Sequence, residues 1–512
     1  MRFNLATILL LASAVLFSAC QSATPLPPTH TFPPPPPSLT PSPSSTWTLT
    51  PTETLPEPSA TLDPTATFTW TPLPPAALTA TAQPVEGAAS PPPQNIILIM
   101  VDSLRSDHVS SYGYSRNTTP YLDAFVTSAG VRFEHVISTS PWTCPSVAAM
   151  FTGRTPTSLN STFKTMNYAL PRSAKTLAEY LREVGYYTTG YASTFCVQSK
   201  RGFSQGFDHY DDTLSTRPSN NKALASEVNE RAMKWLQEQY LPKIKEKKPL
   251  FLFLYYFDPH VWYDPPPPYD MLYDPEYTGP LTPEVYGVAQ DVVEGRIVPT
   301  ERDIEHVQAL YDGEVSYWDA QLGQMLIFLQ ENHLLDNALI IVTSDHGEMF
   351  GEHGKWMHGN SLYQEVLRVP LVMRYTGVIP AGEVVTAPVQ NFDLFPTILE
   401  WVGLPIPEEL GSISLRDISL GVPRDEGRPL YSEIDAINDP SHPLNWNAPK
   451  VSLHSIQEGE WKLIHHLGNP ADDELYQLAP SSIYEGQNTL ADHPDISQHL
   501  LDLLVNWFGL NP

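Results

Sequence analysis

Three apolar runs in this chain end on side chains that bind cations or move protons. Asn95 to Val101 leads into Asp102, Leu250 to Phe257 into Asp258 and His260, and Ala338 to Thr343 into Asp345 and His346. Continuous apolar runs of this length read as strands buried on both faces. In an open α/β sheet, ligands gather beyond the carboxyl ends of the strands. Carboxylate oxygens and a neutral imidazole on loops held there can make a divalent metal site. A single aspartate in such a place more simply caps a turn or a helix. Three strands ending alike outweigh that simpler role, although periodicity alone does not separate the two.

The elements between these runs alternate strand with helix, which predicts an α/β fold. Thr176 to Glu183 reads as a helix stopped by Gly185. Val307, Leu310, Tyr311, Val315, Trp318, Leu322 and Met325 recur at helical spacing, so that segment is one long amphipathic helix. No internal repeat is present.

Composition narrows the function classes. The 512 residues carry a formal charge of −28, which argues against nucleic acid as a partner, since phosphate backbones are bound through Lys and Arg. A small anionic substrate is compatible with that surface only if something local, such as a divalent cation, supplies positive charge. Arg2 precedes an apolar run from Leu5 to Phe17 that is too short to span a bilayer. It ends in Leu16-Phe17-Ser18-Ala19-Cys20, which resembles a bacterial lipobox, so Cys20 is the expected lipidated N-terminus after removal of a signal peptide over 1–20. Residues 21–94 are rich in Pro, Thr, Ser and Ala and cannot bury enough apolar surface to order; they read as a semi-rigid stalk. The chain is then an extracytoplasmic, membrane-anchored lipoprotein with a globular part from Asn95. The two cysteines left, Cys144 and Cys196, demand no disulfide framework.

Several motifs together resemble one family. Val101-Asp102-Ser103-Leu104-Arg105-Ser106-Asp107-His108, with Tyr112-Gly113-Tyr114 behind it, is similar to the opening motif of sulfatases in the alkaline phosphatase superfamily. Ser344-Asp345-His346-Gly347-Glu348, followed by Gly351-Glu352-His353-Gly354, is similar to their second metal motif. Phe257-Asp258-Pro259-His260, Asp393-Leu394-Phe395-Pro396-Thr397, Trp461-Lys462-Leu463-Ile464 and Glu474-Leu475-Tyr476-Gln477-Leu478 fit in the same order. The resemblance implies an α/β fold with a central mixed sheet flanked by helices over 95–427. A smaller α+β subdomain over 428–512 would follow, with an antiparallel sheet and a terminal helix at Ile496 to Phe508.

At the nucleophile this sequence departs from the family. Sulfatases carry Cys/Ser-x-Pro-x-Arg, whose first residue becomes formylglycine, some eleven residues before the end of a Thr-Gly-Arg. Thr152-Gly153-Arg154 is present, and counting back lands on Thr143 in Thr143-Cys144-Pro145-Ser146-Val147. Val147 stands where the motif has Arg, and Cys144 is one position out of register, so formylglycine is not expected and Cys144 is expected only to pack against the helix start. Pro145 suits a first helical turn, which would begin just after Thr143 and aim free N–H groups at an oxyanion. The alternative job for Thr143 is helix capping.

The resemblance implies Asp102, Thr143, Asp345 and His346 as ligands of one divalent metal. The sequence does not choose among Mn²⁺, Mg²⁺ and Ca²⁺, although an imidazole disfavours Ca²⁺. Thr143 is then the nucleophile, and His260 and His358 are leaving-group or substrate-oxygen histidines; His358 stands where many sulfatases carry a Lys. Arg154 is a further substrate-binding or supporting candidate, whereas Arg105, His108 and His353 read as scaffold. Expected substrates are small anionic esters, or sulfated or phosphorylated glycans or lipids. Three functions compete: a sulfatase, a phosphodiesterase-like enzyme (phosphonate hydrolase or phosphoglycerol transferase), and a non-catalytic binder on the same fold. For the anchor, Cys20→Ser is expected to release the protein from membranes or block its maturation. Normal membrane retention of that variant in a fractionation experiment would sink the lipid anchor.

Overall fold

In the computed structural model, residues 92–159, 169–217, 222–246, 248–281, 291–424, 428–437, 447–479 and 484–510 are described. The expected signal peptide, Cys20 and nearly all of the stalk lie outside them.

The first apolar run is strand β1 (Asn95–Val101), and every residue in it is buried. The remaining strands of its sheet are β2 (Val131–Phe133), β3 (Tyr187–Ala192), β4 (His209–Asp211), β5 (Leu250–Tyr256), β6 (Ala338–Ser344), β7 (Leu371–Tyr375) and β8 (Glu383–Val385). They lie in the order β8-β2-β7-β6-β1-β5-β3-β4. Only β7 runs against its neighbours, so the sheet is mixed. The three apolar runs of the sequence are thus the three adjacent central strands, β6-β1-β5.

Strand alternation divides the core between the two faces. Ile96, Leu98 and Met100 point to a layer with helices α1 (Thr143–Thr152), α2 (Leu177–Glu183) and α5 (Leu394–Trp401). Ile97, Ile99 and Val101 point to the opposite layer, built on α3 (Ala225–Trp235) and α4 (Glu301–Glu331). Helix α2 starts where Thr176 accepts the Glu179 N–H and Glu179 reaches back, a capping box. The periodic run from Val307 extends to 31 residues because Thr300 and Asp303 form a second capping box upstream.

A second sheet follows, antiparallel in the order β9 (Leu430–Ile434), β10 (Leu453–Glu458), β11 (Trp461–His466) and β12 (Glu474–Gln477). Helix α6 (Pro494–Phe508) covers it through Leu500 and Leu504. Among the described residues, no helix is long and apolar enough to cross a membrane.

Two expectations need correction. Cys144 and Cys196 form a disulfide, with Cα atoms 4.9 Å apart. Nothing local in the sequence shows it, because the partners are 52 residues apart and meet only when α1 and the turn after β3 pack on the same sheet face. A loop of that size contributes roughly 4 kcal/mol in the chain-entropy account. Helix α1 also starts one residue earlier than expected: Thr143 is its first residue and Trp142 its N-cap.

Packing of α4 against the sheet generates a test. Trp318 is 0 % exposed, so Trp318→Ala leaves a large cavity. A loss of about 3–5 kcal/mol in urea unfolding is expected, and a loss below about 1 kcal/mol would contradict this burial.

Candidate active site

Register explains why the acids meet. Val101 of β1 lies directly opposite Tyr256 of β5 and Ser344 of β6, so the three central strands end level. The next residues, Asp102 and Asp345, therefore emerge side by side. Asp258, two residues beyond β5, turns away: its Oδ2 accepts the Ala225 N–H at 2.7 Å at the start of α3. The capping role applies to that residue. Its neighbour His260 stays on the site side.

Asp102, Asp345 and His346 are each 0 % exposed. Their ligand atoms lie within 4.8 Å of one another. Asp345 is held from several directions: Oδ2 accepts the Tyr255 hydroxyl at 2.8 Å, and Oδ1 accepts the His346 N–H at 2.9 Å and the Ser103 N–H at 3.2 Å. Ser103 has φ 60, a left-handed conformation rare outside glycine. Its carbonyl accepts the Tyr311 hydroxyl at 2.7 Å, which secures the turn. The His346 Nδ1 faces the Gly347 carbonyl at 2.9 Å. A carbonyl only accepts, so Nδ1 carries the proton and Nε2 presents its lone pair to the cluster.

Asp102 Oδ2 is buried without a hydrogen-bond partner. Burial, then the neighbouring Asp345 charge, raises the Asp102 pKa well above the ordinary carboxylate value. An orphaned buried oxygen beside a second acid and an unprotonated imidazole nitrogen is a donor set suited to a divalent cation.

Thr143 completes the cluster. Its Oγ1 sits 3.1 Å from His346 Nε2, and the residue is 3 % exposed. It is the first residue of α1, whose N-cap Trp142 supplies no side-chain cap, so the leading N–H groups and the positive dipole end remain open to an anion. Below the helix start, the Ser138 and Ser146 hydroxyls donate to the Asp345 carbonyl, with Ser146 at 2.7 Å. Asn391 Nδ2 donates to Ser146 Oγ at 2.9 Å.

Two further histidines line the same space. The His358 ring lies 4.4 Å from the His346 ring and 4.8 Å from that of His260. Met349 pairs with Met357 across a short hairpin, which brings Glu348 beside His358, Oε1 to Nδ1, at 2.9 Å. Burial, then the neighbouring His358, lowers His260 to about 3. Burial, then His346, likewise lowers His358 well below the usual imidazole value. Burial raises Glu348 to about 7.

The structure therefore gathers Asp102, Thr143, Asp345, His346, His260 and His358. Arg154 is not among them. It follows the far end of α1, about 15 Å along the helix from Thr143 at the usual rise. His108 and Arg105 are scaffold: His108 pairs with Asp312 at 2.6 Å, and Arg105 with Asp107 and Glu352, both at 2.7 Å. Sequence reasoning missed Glu348 and Tyr255. Glu348 was visible within the second motif, but its pairing depends on a hairpin ten residues long. Tyr255 read as core packing, which it is, except that its hydroxyl holds Asp345.

A family model described as Sulfatase matches residues 94–404, and one described as N-sulphoglucosamine sulphohydrolase, C-terminal, matches residues 351–503. Arylsulfatase K of Bos taurus is 24% identical over 473 residues, covering 83% of this chain and 85% of the relative. Choline-sulfatase of Rhizobium meliloti (strain 1021) is 26% identical, covering 75% of this chain and 80% of the relative. Among solved structures, a phosphonate monoester hydrolase from Silicibacter pomeroyi superposes with TM-score 0.65 at 22% identity, covering 80% of this chain and 94% of the other. A protein solved with its substrate D-glucosamine-2-N,6-O-disulfate gives TM-score 0.65 at 20% identity, covering 81% and 97%.

The donor set yields a test independent of turnover. Asp345→Asn is expected to abolish retention of a divalent ion while leaving the fold intact. Elemental analysis of the purified variant beside the parent checks this, and equal metal content would remove Asp345 from the cluster.

Proposed function

Because the chain belongs to the sulfatase family, we propose that it is a metal-dependent hydrolase of sulfate or phosphate esters in which Thr143 is the nucleophile. The observation that carries this is Thr143 Oγ1 lying 3.1 Å from His346 Nε2 at the uncapped start of a buried helix. When bound by Asp102, Asp345 and His346, one divalent ion (Mn²⁺, Mg²⁺ or Ca²⁺) supplies Lewis-acid activation of the threonine hydroxyl and the ester oxygens.

The chain's own groups then divide the work. The Thr143 oxygen attacks sulfur or phosphorus in line, its hydroxyl proton passing to His260 Nε2, while the α1 N–H groups receive the charged oxygens. The bond to the leaving oxygen breaks as that oxygen takes up a proton. His358 suits this role, because a proton shared along its 2.9 Å contact with Glu348 lets Nδ1 be held from the carboxyl side while Nε2 donates. His260 suits the reverse role. Its Nδ1 is committed to the Val261 carbonyl, so Nε2 is an acceptor, and its lowered pKa keeps the ring neutral at physiological pH. Water, giving its proton to the His358–Glu348 pair that protonated the leaving oxygen, then displaces the group from Thr143, whose oxygen recovers its proton from His260 Nε2. An acceptor alcohol in that step would make the enzyme a transferase.

Threonine in place of formylglycine favours phosphorus over sulfur. A formylglycine hydrate can expel sulfate by collapsing its gem-diol, whereas a threonine ester has no second hydroxyl on the same carbon. The solved phosphonate monoester hydrolase supports this second reading at the level of fold. The proposed setting is extracytoplasmic, with Cys20 as the lipid anchor and residues 21–94 as the stalk.

Kinetics with a sulfate monoester and a phosphodiester of the same phenol separate the two chemistries, and a faster phosphodiester is expected. Thr143→Ala is expected to lose at least about 100-fold in kcat while keeping its metal, and Thr143→Ser to keep part of the activity. Turnover by Thr143→Ala close to the parent rate would remove Thr143 as nucleophile.

A further inference from the structure

The disulfide is placed where it bears on the reaction. Cys144 directly follows Thr143 in the first turn of α1, and its partner Cys196 lies in the turn Phe195–Val197 just beyond β3. Both are buried, at 0 % and 1 % exposure. We propose that the Cys144–Cys196 bridge is a positioning device for the Thr143 hydroxyl, which makes turnover conditional on the oxidised bridge. This rests on Thr143 being the nucleophile, and the test below separates the two.

The start of α1 has unusual needs. Its N-cap residue is Trp142, whose indole is a donor only and cannot cap the leading N–H groups, so no side-chain cap fixes this helix end. The ten residues of α1 are all buried and mostly apolar or small, and such packing is weakly directional along the helix axis. Besides the contact of Thr143 Oγ1 with His346 Nε2 and the Asn391 bond to Ser146, two directional restraints tie the first turn to its surroundings. One is Ser146 Oγ donating to the Asp345 carbonyl at 2.7 Å. The other is the disulfide, on the residue adjoining the nucleophile.

The far end of the bridge is referenced to the same metal-site frame. Ser193 Oγ donates to the Tyr255 carbonyl at 2.7 Å, and the Tyr255 hydroxyl donates to Asp345 Oδ2 at 2.8 Å. Cys196 follows Ser193 by three residues, so the bridge runs from the nucleophile's helix to the strand ends that hold Asp345. Hydroxyl and carboxylate are thereby set against each other from two sides. A displacement of about 1 Å at a reacting group costs on the order of 100-fold in rate, which sets the scale for loss of one side.

The chemistry balances as thiol–disulfide exchange. Two thiols, Cys144 and Cys196, react with one small-molecule or protein disulfide to give the bridge and two released thiols; a dithiol drives the reverse. Apart from Cys20, the expected lipidation site, the chain has no other cysteine, so mispairing within the globular part is impossible and the bridge is either made or open.

The test uses the full-length protein in detergent with bis(4-nitrophenyl) phosphate as substrate, comparing the parent with Cys196→Ser and Thr143→Ala. Cys196→Ser is chosen because it leaves α1 unaltered. Expected results are a 10- to 100-fold fall in kcat, with KM and metal content within twofold and a cooperative melt retained. A folded Cys196→Ser within twofold of the parent kcat overturns the proposal. If Thr143→Ala is inactive in the same series, the nucleophile assignment survives that failure; if Thr143→Ala is active, the nucleophile assignment itself has failed. Should Cys196→Ser not fold, the parent is titrated with dithiothreitol at 25 °C. Activity that falls as two thiols appear, with far-ultraviolet circular dichroism unchanged, and that returns with oxidised dithiothreitol, supports the bridge as a positioning device. Activity that persists with two thiols exposed, or falls only together with the dichroism signal, overturns it.

Discussion

Two carboxylates, Asp102 and Asp345, sit beside each other with no exposure to water, and most of the surrounding structure answers to that burden. An isolated ionised carboxylate in such a place costs several kcal/mol even after relaxation. Asp345 recovers part of this through the Tyr255 hydroxyl and two backbone N–H groups. Asp102 recovers less, with one oxygen unpartnered. Strand register forces the juxtaposition: Val101 and Ser344 are paired, so the residues that follow cannot avoid each other. The left-handed Ser103 belongs to the same arrangement, since it turns its N–H onto Asp345 rather than continuing the strand. Such a buried pair is weak evidence for stability, and its chemistry is that of a donor set suited to a divalent cation.

The second sheet takes part in this support. Ser432 on β9 donates to the Ser138 carbonyl at 2.6 Å, and the neighbouring Glu433 N–H reaches the Thr139 carbonyl at 3.0 Å. Ser138 in turn donates to the Asp345 carbonyl. The segment that leads into α1 is thus held between the Asp345 loop on one side and the antiparallel sheet on the other. Polar networks of this kind fix position only when each member is satisfied. Asn391, just before α5, closes the set by donating to both serine hydroxyls.

The part of the site built from strand ends was legible in the sequence, because an apolar run followed by an acid reports local chemistry and sheet topology together. That pattern placed Asp102, Asp345 and His346 at strand ends, and the family resemblance was needed to group them as ligands. Thr143 became visible only through its distance from Thr152-Gly153-Arg154, and Arg154 itself marks the wrong end of that helix. Asp258 had the same sequence signature as Asp102 but is consumed by the start of α3, a distinction set by what packs next to it. Glu348, Tyr255 and the disulfide were hidden for one reason. Each acts through a partner 10, 90 or 52 residues away, brought close by hairpin or sheet packing that residue patterns do not encode.

Charge balance adds a constraint on the ester that the proposed reaction accepts. His260 and His358 are held neutral by burial, and Arg105 spends its guanidinium on Asp107, Glu352 and the Glu348 carbonyl. In the proposed reaction, the positive elements that meet the substrate are one divalent ion and the half-charge of a helix end. As the proposed ligands, the Asp102 and Asp345 carboxylates offset the ion. A dianionic phosphate monoester would then enter with one negative charge poorly matched in a desolvated space, where unmatched charge is most costly. A sulfate monoester, a phosphodiester and a phosphonate monoester each carry a single negative charge. In the proposed reaction, charge thus discriminates among esters before the choice between sulfur and phosphorus, which falls to the Thr143 nucleophile.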